Sequence, residues 1–209
     1  EEGRDLYSLD ELASLFRLEK LNKAPAVFDY KRLEWYNGQY IRMKTDSELA
    51  RLVETYALAD GLFGAPGTEP SASQKTLFEA AMPLVKERLS FLHEASGKLR
   101  YLFAEPPLPA AEEYFPKKKG AAETAELLSL SLPLVKTLSI AEDAEAEAAV
   151  KALAESSGQK LGDLLMPLRV AVTGARVSPP LFGSMRLLGE DTCMKRIEAS
   201  LELLRASIN

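Results

Sequence analysis

The sequence is short of the side chains that most enzymes use for chemistry. Its 209 residues include one histidine, His93, and one cysteine, Cys193. A zinc site built on several histidines cannot form, and Cys193 has no cysteine partner. A histidine-dependent triad could use only His93, and nothing around it resembles a nucleophile elbow. The phosphate-cradling patterns G-x-G-x-x-G and G-x-x-x-x-G-K followed by Ser or Thr are both absent. A lone cysteine rules out an internal disulfide and fits a reducing compartment, so a cytoplasmic location is expected. No apolar run approaches the length of a membrane span. Glu1-Glu2-Gly3-Arg4-Asp5 has neither the basic start nor the apolar core of a signal peptide. These absences leave no self-contained catalytic site, no metal site and no membrane partner to expect.

What is present reads as a helical protein. The apolar fraction of 46% and the charged fraction of 27% are ordinary for a soluble globular chain. The length suffices for one large domain or two to three small ones. A net charge of −5 counts against a sequence-blind nucleic-acid binder, though not against one that gathers its cations on one face. No stretch alternates with period two, so an all-α fold is expected. Ser8-Leu9-Asp10-Glu11 is a capping box opening a helix with Leu9, Leu12, Leu15 and Phe16 on one side. Asn22-Lys23-Ala24-Pro25 breaks it. Phe28 to Tyr36 reads as an aromatic helix with Asp29 as a cap, and Asn37-Gly38 as the turn that follows. Asp46 is the expected cap of a helix over 47–59, and 61–73 reads as a loop. Helical periodicity over 74–103 is interrupted at Met82-Pro83 and Ser96-Gly97, and Glu105-Pro106-Pro107-Leu108-Pro109 stops it. Helices are expected over 122–140, 143–156 and 190–208, with 158–165 as a lead-in. The division between domains is expected near the Pro-rich segment after Phe103.

The segment from Pro167 to Gly189 stands apart. It sets Arg169 beside Thr173-Gly174, then a Ser178-Pro179-Pro180-Leu181-Phe182 hinge, then a run of small residues. A helix that only fills a core needs no such breaks. They set special backbone angles and gather polar backbone groups near a cation, an arrangement suited to a flat polar ligand such as an unstacked base.

Three blocks resemble the C-terminal part of bacterial glutamyl-tRNA synthetases. Leu9 to Arg42, with A-V-F-D-Y-K-R-L-E-W-Y-N-G-Q-Y-I-R, is similar to the tRNA stem-contact region of that family. Met82 to Phe103, ending in K-L-R-Y-L-F, resembles its first anticodon-binding helical domain. Lys160 to Arg196, with P-L-R-V-A-V-T-G and S-P-P-L-F, resembles the second. The resemblance implies an elongated all-α chain: stem-contact residues over 1–44, and helical anticodon-binding domains over 45–120 and 121–209. The family's His-x-Gly-His and Lys-x-Ser-Lys-Arg signatures are missing, which implies a piece without the catalytic half. ATP and Mg2+ are then cofactors of the parent enzyme and not of this piece. The partner implied is tRNA(Glu), bound by a monomer, with no DNA role.

The resemblance also assigns residues. Arg88 falls where the family reads the last anticodon letter. Glutamate anticodons end in cytosine, which offers acceptors, and glutamine anticodons end in guanine, which offers N–H donors at comparable places. Arginine has only donors, so it accepts the first and meets donor against donor at the second. The bland alternative is a solvated charge paired with Glu87 or Glu94. Arg169 resembles the contact to the first base, Ser178 and Pro179 the pair that holds the middle uracil, and Leu181 an apolar side chain packed on a splayed base. Core packing is expected of Phe182 rather than of Leu181. Thr173-Gly174 is expected to be a helix C-cap. Lys98 and Arg100 are candidates for the anticodon-stem backbone, as are Lys117, Lys118 and Lys119, although a charge run is more often simply solvated. The acidic Glu190-Asp191-Thr192 turn argues against a phosphate contact there. Trp35 is expected to pack between the stem-contact residues and the bundle, and Asn37-Gly38 to be structural. Two rivals remain open: an enzyme that also charges tRNA(Gln), and an α-helical protein-interaction module without an RNA role.

Overall fold

The structure, a computed structural model, describes residues 5–21 and 27–208. The expected break at Asn22 to Pro25 and the first four residues of the Glu1 to Asp5 segment lie outside these residues. Among the described residues the chain forms α-helices and short 3-10 turns with no strand, as the all-α reading required.

Local chemistry starts several helices. α1 (Leu9–Leu15) opens on Ser8, whose hydroxyl accepts from the Glu11 amide while the Glu11 carboxylate accepts from the Ser8 amide. α2 (Tyr30–Arg42) is capped by the Asp29 carboxylate. It runs straight through Asn37-Gly38, where a turn was expected. A tertiary contact decides this: the Asn37 side chain donates to the Ser90 carbonyl, and Gly38 is buried beside the Leu89 carbonyl. α3 (Asp46–Ala59) is capped by Thr45 in a capping box with Glu48, one residue earlier than expected. Asp46 instead pairs with Lys86 at 3.2 Å.

The expected interruptions at Met82-Pro83 and Ser96-Gly97 are both absent. α4 (Ala72–Lys86) contains Pro83, and the break falls at 87–93, before α5 (Glu94–Phe103). Pro83 forfeits one backbone bond, but Phe78, Ala81, Met82 and Val85 hold the helix by burying one face. Ser96-Gly97 falls in the first turn of α5, whose amides lack intrahelical partners in any helix. α3, α4 and α5 enclose a first core of Leu49, Val53, Met82, Val85 and Leu99. Phe63, Phe78 and Phe103 close it edge to face, with centroids 5.2 to 6.2 Å apart.

A second core gathers residues from Ala111 onward. α6 (Ala121–Ser131) and α7 (Val135–Leu138) are separated by a 3-10 turn over Leu132–Leu134, so the single helix expected over 122–140 is split at Pro133. α8 (Asp143–Ser157) follows. α9 (Leu161–Thr173) begins within the expected lead-in over 158–165 and passes through the buried Pro167. α10 (Leu181–Leu188) and α11 (Glu190–Ala206) complete it. Tyr114, Leu128, Leu138, Leu164, Met185 and Ile197 are its most buried members. On α11, Ile197, Leu201 and Leu204 face inward and Lys195, Glu198, Glu202 and Arg205 outward, as the amphipathic pattern indicated.

The two cores meet along α4, α5, α9, α10 and the Pro-rich linker. Gly174 caps α9 in the left-handed region at φ +76°, its amide bonded to the Val170 carbonyl at 2.8 Å. A Cβ there would lie 2.8 Å from Cβ of Pro106, so glycine is required by backbone angle and by the linker pressed against it. The aromatic residues at the other end did not behave as expected. Trp35 is half-exposed and stacks edge-on with Tyr36 rather than packing against the bundle.

Candidate nucleic-acid interface

A cleft of about 280 Å³ opens where the two cores meet. Arg88, Lys98 and Arg100 line it from the first core, and Ser178 and Pro179 from the second. Pro106, Pro107 and the exposed Val177 give it an apolar side. Residues far apart in sequence are brought together because Pro179 and Pro180 hold the α9–α10 loop extended and the Gly174 cap turns the chain toward the linker.

Two arginines grip that loop from opposite sides. Arg88, just beyond the end of α4, donates through Nη1 to the Ser178 carbonyl. Arg169, on α9, donates through Nη1 to the Ser178 hydroxyl at 2.7 Å and to the Pro179 carbonyl at 3.0 Å. Among the described residues neither guanidinium has a carboxylate within ion-pair distance. Glu94, the bland partner for Arg88, instead lies 3.8 Å from Lys98 and accepts from the Ser90 amide. Burial lowers the Arg169 pKa below its ordinary range, and the neighbouring Arg88 charge adds to that. A guanidinium has five N–H donors, so both forks keep donors for a ligand. A cleft lined by three cations against one carboxylate, Glu105, and with an apolar side suits a flat group rich in acceptors.

The remaining expectations fall out unevenly. Lys98 and Arg100 share the cleft with Arg88, and Arg100 also donates to the Asp60 carbonyl at 2.9 Å. Lys117, Lys118 and Lys119 are not brought to it; Lys119 lies 3.9 Å from Asp163 instead. Leu181 requires correction. It is 4% exposed and belongs to the second core, while Phe182 is only partly buried. Leu181 opens α10, whose inward face it shares with Met185, so helical spacing overrides the neighbouring prolines. The apolar side chain that does stand free at the cleft is Val177, 86% exposed. A lone aliphatic residue before Ser-Pro-Pro in a polar loop was the signal for it, and the sequence reading passed over it.

Nothing in the cleft supplies covalent chemistry. His93 is exposed and stacks on Phe91 at 5.5 Å, away from the cleft lining. Cys193 is fully buried, and burial pushes its thiol up to about 11. Among the described residues no group of three or more His, Cys, Asp or Glu side chains is placed to hold a metal ion, so no step is assigned to one. No helix among them is long and apolar enough to cross a membrane.

Comparison with known proteins gives this geometry a setting. A family model described as the anticodon binding domain matches residues 48–201. A glutamate–tRNA ligase of Treponema denticola is 44% identical over 96% of this chain and 43% of its own length. One from Borreliella burgdorferi is 34% identical over 98% of this chain and 41% of its own. The chain thus spans about two fifths of the length of these relatives. A crystal structure of a glutamate tRNA ligase from Elizabethkingia meningosepticum, in complex with its amino acid, superimposes with a TM-score of 0.69. It is 24% identical and covers 95% of this chain and 37% of that one, which supports the fold.

Proposed function

Because this chain belongs to the anticodon-binding domain family, we propose that it reads the anticodon of tRNA(Glu) as part of a glutamate–tRNA ligase. The parent enzyme would join L-glutamate to that tRNA with ATP and Mg2+, and those ligands would be held by polypeptide beyond these 209 residues. The chain would act in the cytoplasm as a monomer. One observation carries the reading: Arg88 and Arg169, from different cores, converge on one loop with no carboxylate partner among the described residues. Arg88 reads the last letter by offering donors to cytosine and opposing the donors of guanine. Arg169, Ser178 and Pro179 serve the first two letters. Lys98 and Arg100, which line the same cleft, would meet the backbone of the anticodon arm.

The test is competition binding with two full-length tRNA transcripts that differ only in cytosine or guanine at the last anticodon letter. One good arginine–base pair is worth about 1–3 kcal/mol, so the cytosine transcript should bind ~5- to 150-fold more tightly. Arg88→Gln should abolish that ratio with a smaller loss of overall affinity. Equal wild-type affinities would favour the enzyme that also charges tRNA(Gln). No binding to either transcript would favour the helical protein-interaction module, which the −5 net charge suits.

A further inference from the structure

Arg196 has no part in the reading above, yet it is 4% exposed, and a guanidinium is buried at bearable cost only when its donors are engaged. Nη1 donates to the Val172 carbonyl at 2.7 Å, at the end of α9. Nη2 donates to the Tyr101 carbonyl at 2.9 Å and reaches the Ala104 carbonyl at 3.5 Å, at the end of α5. Nε makes no hydrogen bond and is offset only by the charge of the Glu105 carboxylate 3.5 Å away. These carbonyls are the ones a helix leaves without partners at its C-terminus, where the helix dipole also favours a cation. One side chain on α11 therefore ties together the C-terminal ends of two helices that belong to different cores.

A second bridge runs beside it. The Ser184 hydroxyl donates its one proton to the Pro180 carbonyl at 2.7 Å, so the Tyr101 phenol donates to Ser184 at 2.6 Å. Burial pushes the Tyr101 phenol up, which keeps it a neutral donor at neutral pH. Tyr101 thus serves both bridges, its carbonyl taking Arg196 and its phenol holding the residue that anchors Pro180. Arg88 extends from the first core, whereas its acceptor Ser178 and its companion Arg169 lie on the second. Their convergence exists only while the cores keep one relative position.

We infer that Arg196, with the Tyr101–Ser184 bridge, is a positioning residue of the anticodon reader: it fixes the two cores so that Arg88 meets the last letter with the geometry that separates cytosine from guanine. The inference rests on the tRNA reading proposed above. A residue that merely glues the fold would, on substitution, lower stability and weaken all tRNAs alike. A positioning residue changes the ratio between them.

The experiment measures affinities of the 209-residue chain and its Arg196→Lys variant for the two transcripts, with helicity followed by circular dichroism. Lysine keeps the charge opposite Glu105, but its ammonium cannot span carbonyls on two helices as the planar fork does. The cytosine-to-guanine ratio should fall at least ~3-fold, while affinity for the guanine transcript changes by less than ~2-fold. An unchanged ratio, or equal loss for both transcripts, overturns the inference. If Arg196→Lys loses its helicity, Ser184→Ala decides in its place, because it removes the second bridge from a site outside the cleft lining. A falling ratio there supports the joint and a constant one overturns it. A wild-type chain that binds both transcripts equally overturns the discrimination by Arg88 and this inference with it. A wild-type preference that survives in the variant overturns the inference alone.

Discussion

Replacing Gly183 by alanine should destabilise this protein even though alanine is the better helix former. Gly183 lies on α10 against Leu84 of α4, where the two cores touch. A Cβ at 183 would stand 2.4 Å from Cδ2 of Leu84, 1.0 Å inside the 3.4 Å at which ordinary contact begins. Adding a methyl group to a packed site costs about 1–3 kcal/mol. Glycine to alanine within a helix returns about 0.5–1 kcal/mol. Cδ2 is the far end of the Leu84 side chain, which must turn aside, so the two terms leave a net loss of up to ~2 kcal/mol, or up to ~4–8 °C in Tm for a chain of this size. Gly162, near the start of α9, supplies the control. A Cβ there meets nothing within 4 Å, so Gly162→Ala should stabilise by up to ~1 kcal/mol. Urea titrations followed by circular dichroism measure both. In the Gly183→Ala, Leu84→Ala double variant the two losses should fall short of additivity, because shortening Leu84 removes the clash. If Gly183→Ala stabilises as much as Gly162→Ala, or if the double variant is additive, the close approach of α4 and α10 is wrong. The interface leading to Arg88 is then wrong with it.

Two further outcomes separate packing from recognition. Leu181→Ala should cost ~2–5 kcal/mol of stability, read as a lowered thermal midpoint, because a buried leucine is truncated; an unaltered midpoint with lost tRNA affinity would return Leu181 to a base-contacting role. Cys193 has its thiol raised by burial to about 11 from an ordinary 9.0, so the unfolded chain releases this proton first. Its contribution is intact below about pH 9 and is lost as pH rises toward 11, by ~2–3 kcal/mol at most. Cys193→Ala should therefore show a shallower loss of stability between pH 8 and 10 in urea titrations, and slopes equal to wild type would refute the shift.

Where the sequence could be read and where it could not follows from how far each signal reaches along the chain. The Ser8 and Asp29 caps, the Gly174 cap and the inward face of α11 were legible because each is set within a turn or a helical period. Asn37-Gly38 was misread as a turn because its partner, the Ser90 carbonyl, is remote in sequence. Pro83 reads as a break because the burial that carries a helix past a proline belongs to its neighbours. Arg88, Arg169, Ser178 and Pro179 were reached through family resemblance, and the cleft that unites them was visible only in three dimensions. Arg196 was invisible, since an arginine on an amphipathic helix looks solvated until the carbonyls it meets are known. Leu181 is hard to place for a related reason: which apolar residue of the hinge turns inward depends on where α10 begins.

The bond from Arg196 to Tyr101 spans 95 positions of the chain, and that from Arg88 to Ser178 spans 90. A ribosome releases the first core long before α11 exists, and domains fold as they emerge. For that interval the nascent chain holds a folded first core with Arg88 already in place and nothing for it to grip. On the reading proposed above, the ability to tell one tRNA from another would therefore arise in a single late step of synthesis, when the last helix docks. A polypeptide cut short before Glu190 would keep the Arg88 wall of the cleft but lack Arg196, which ties the ends of α5 and α9 together.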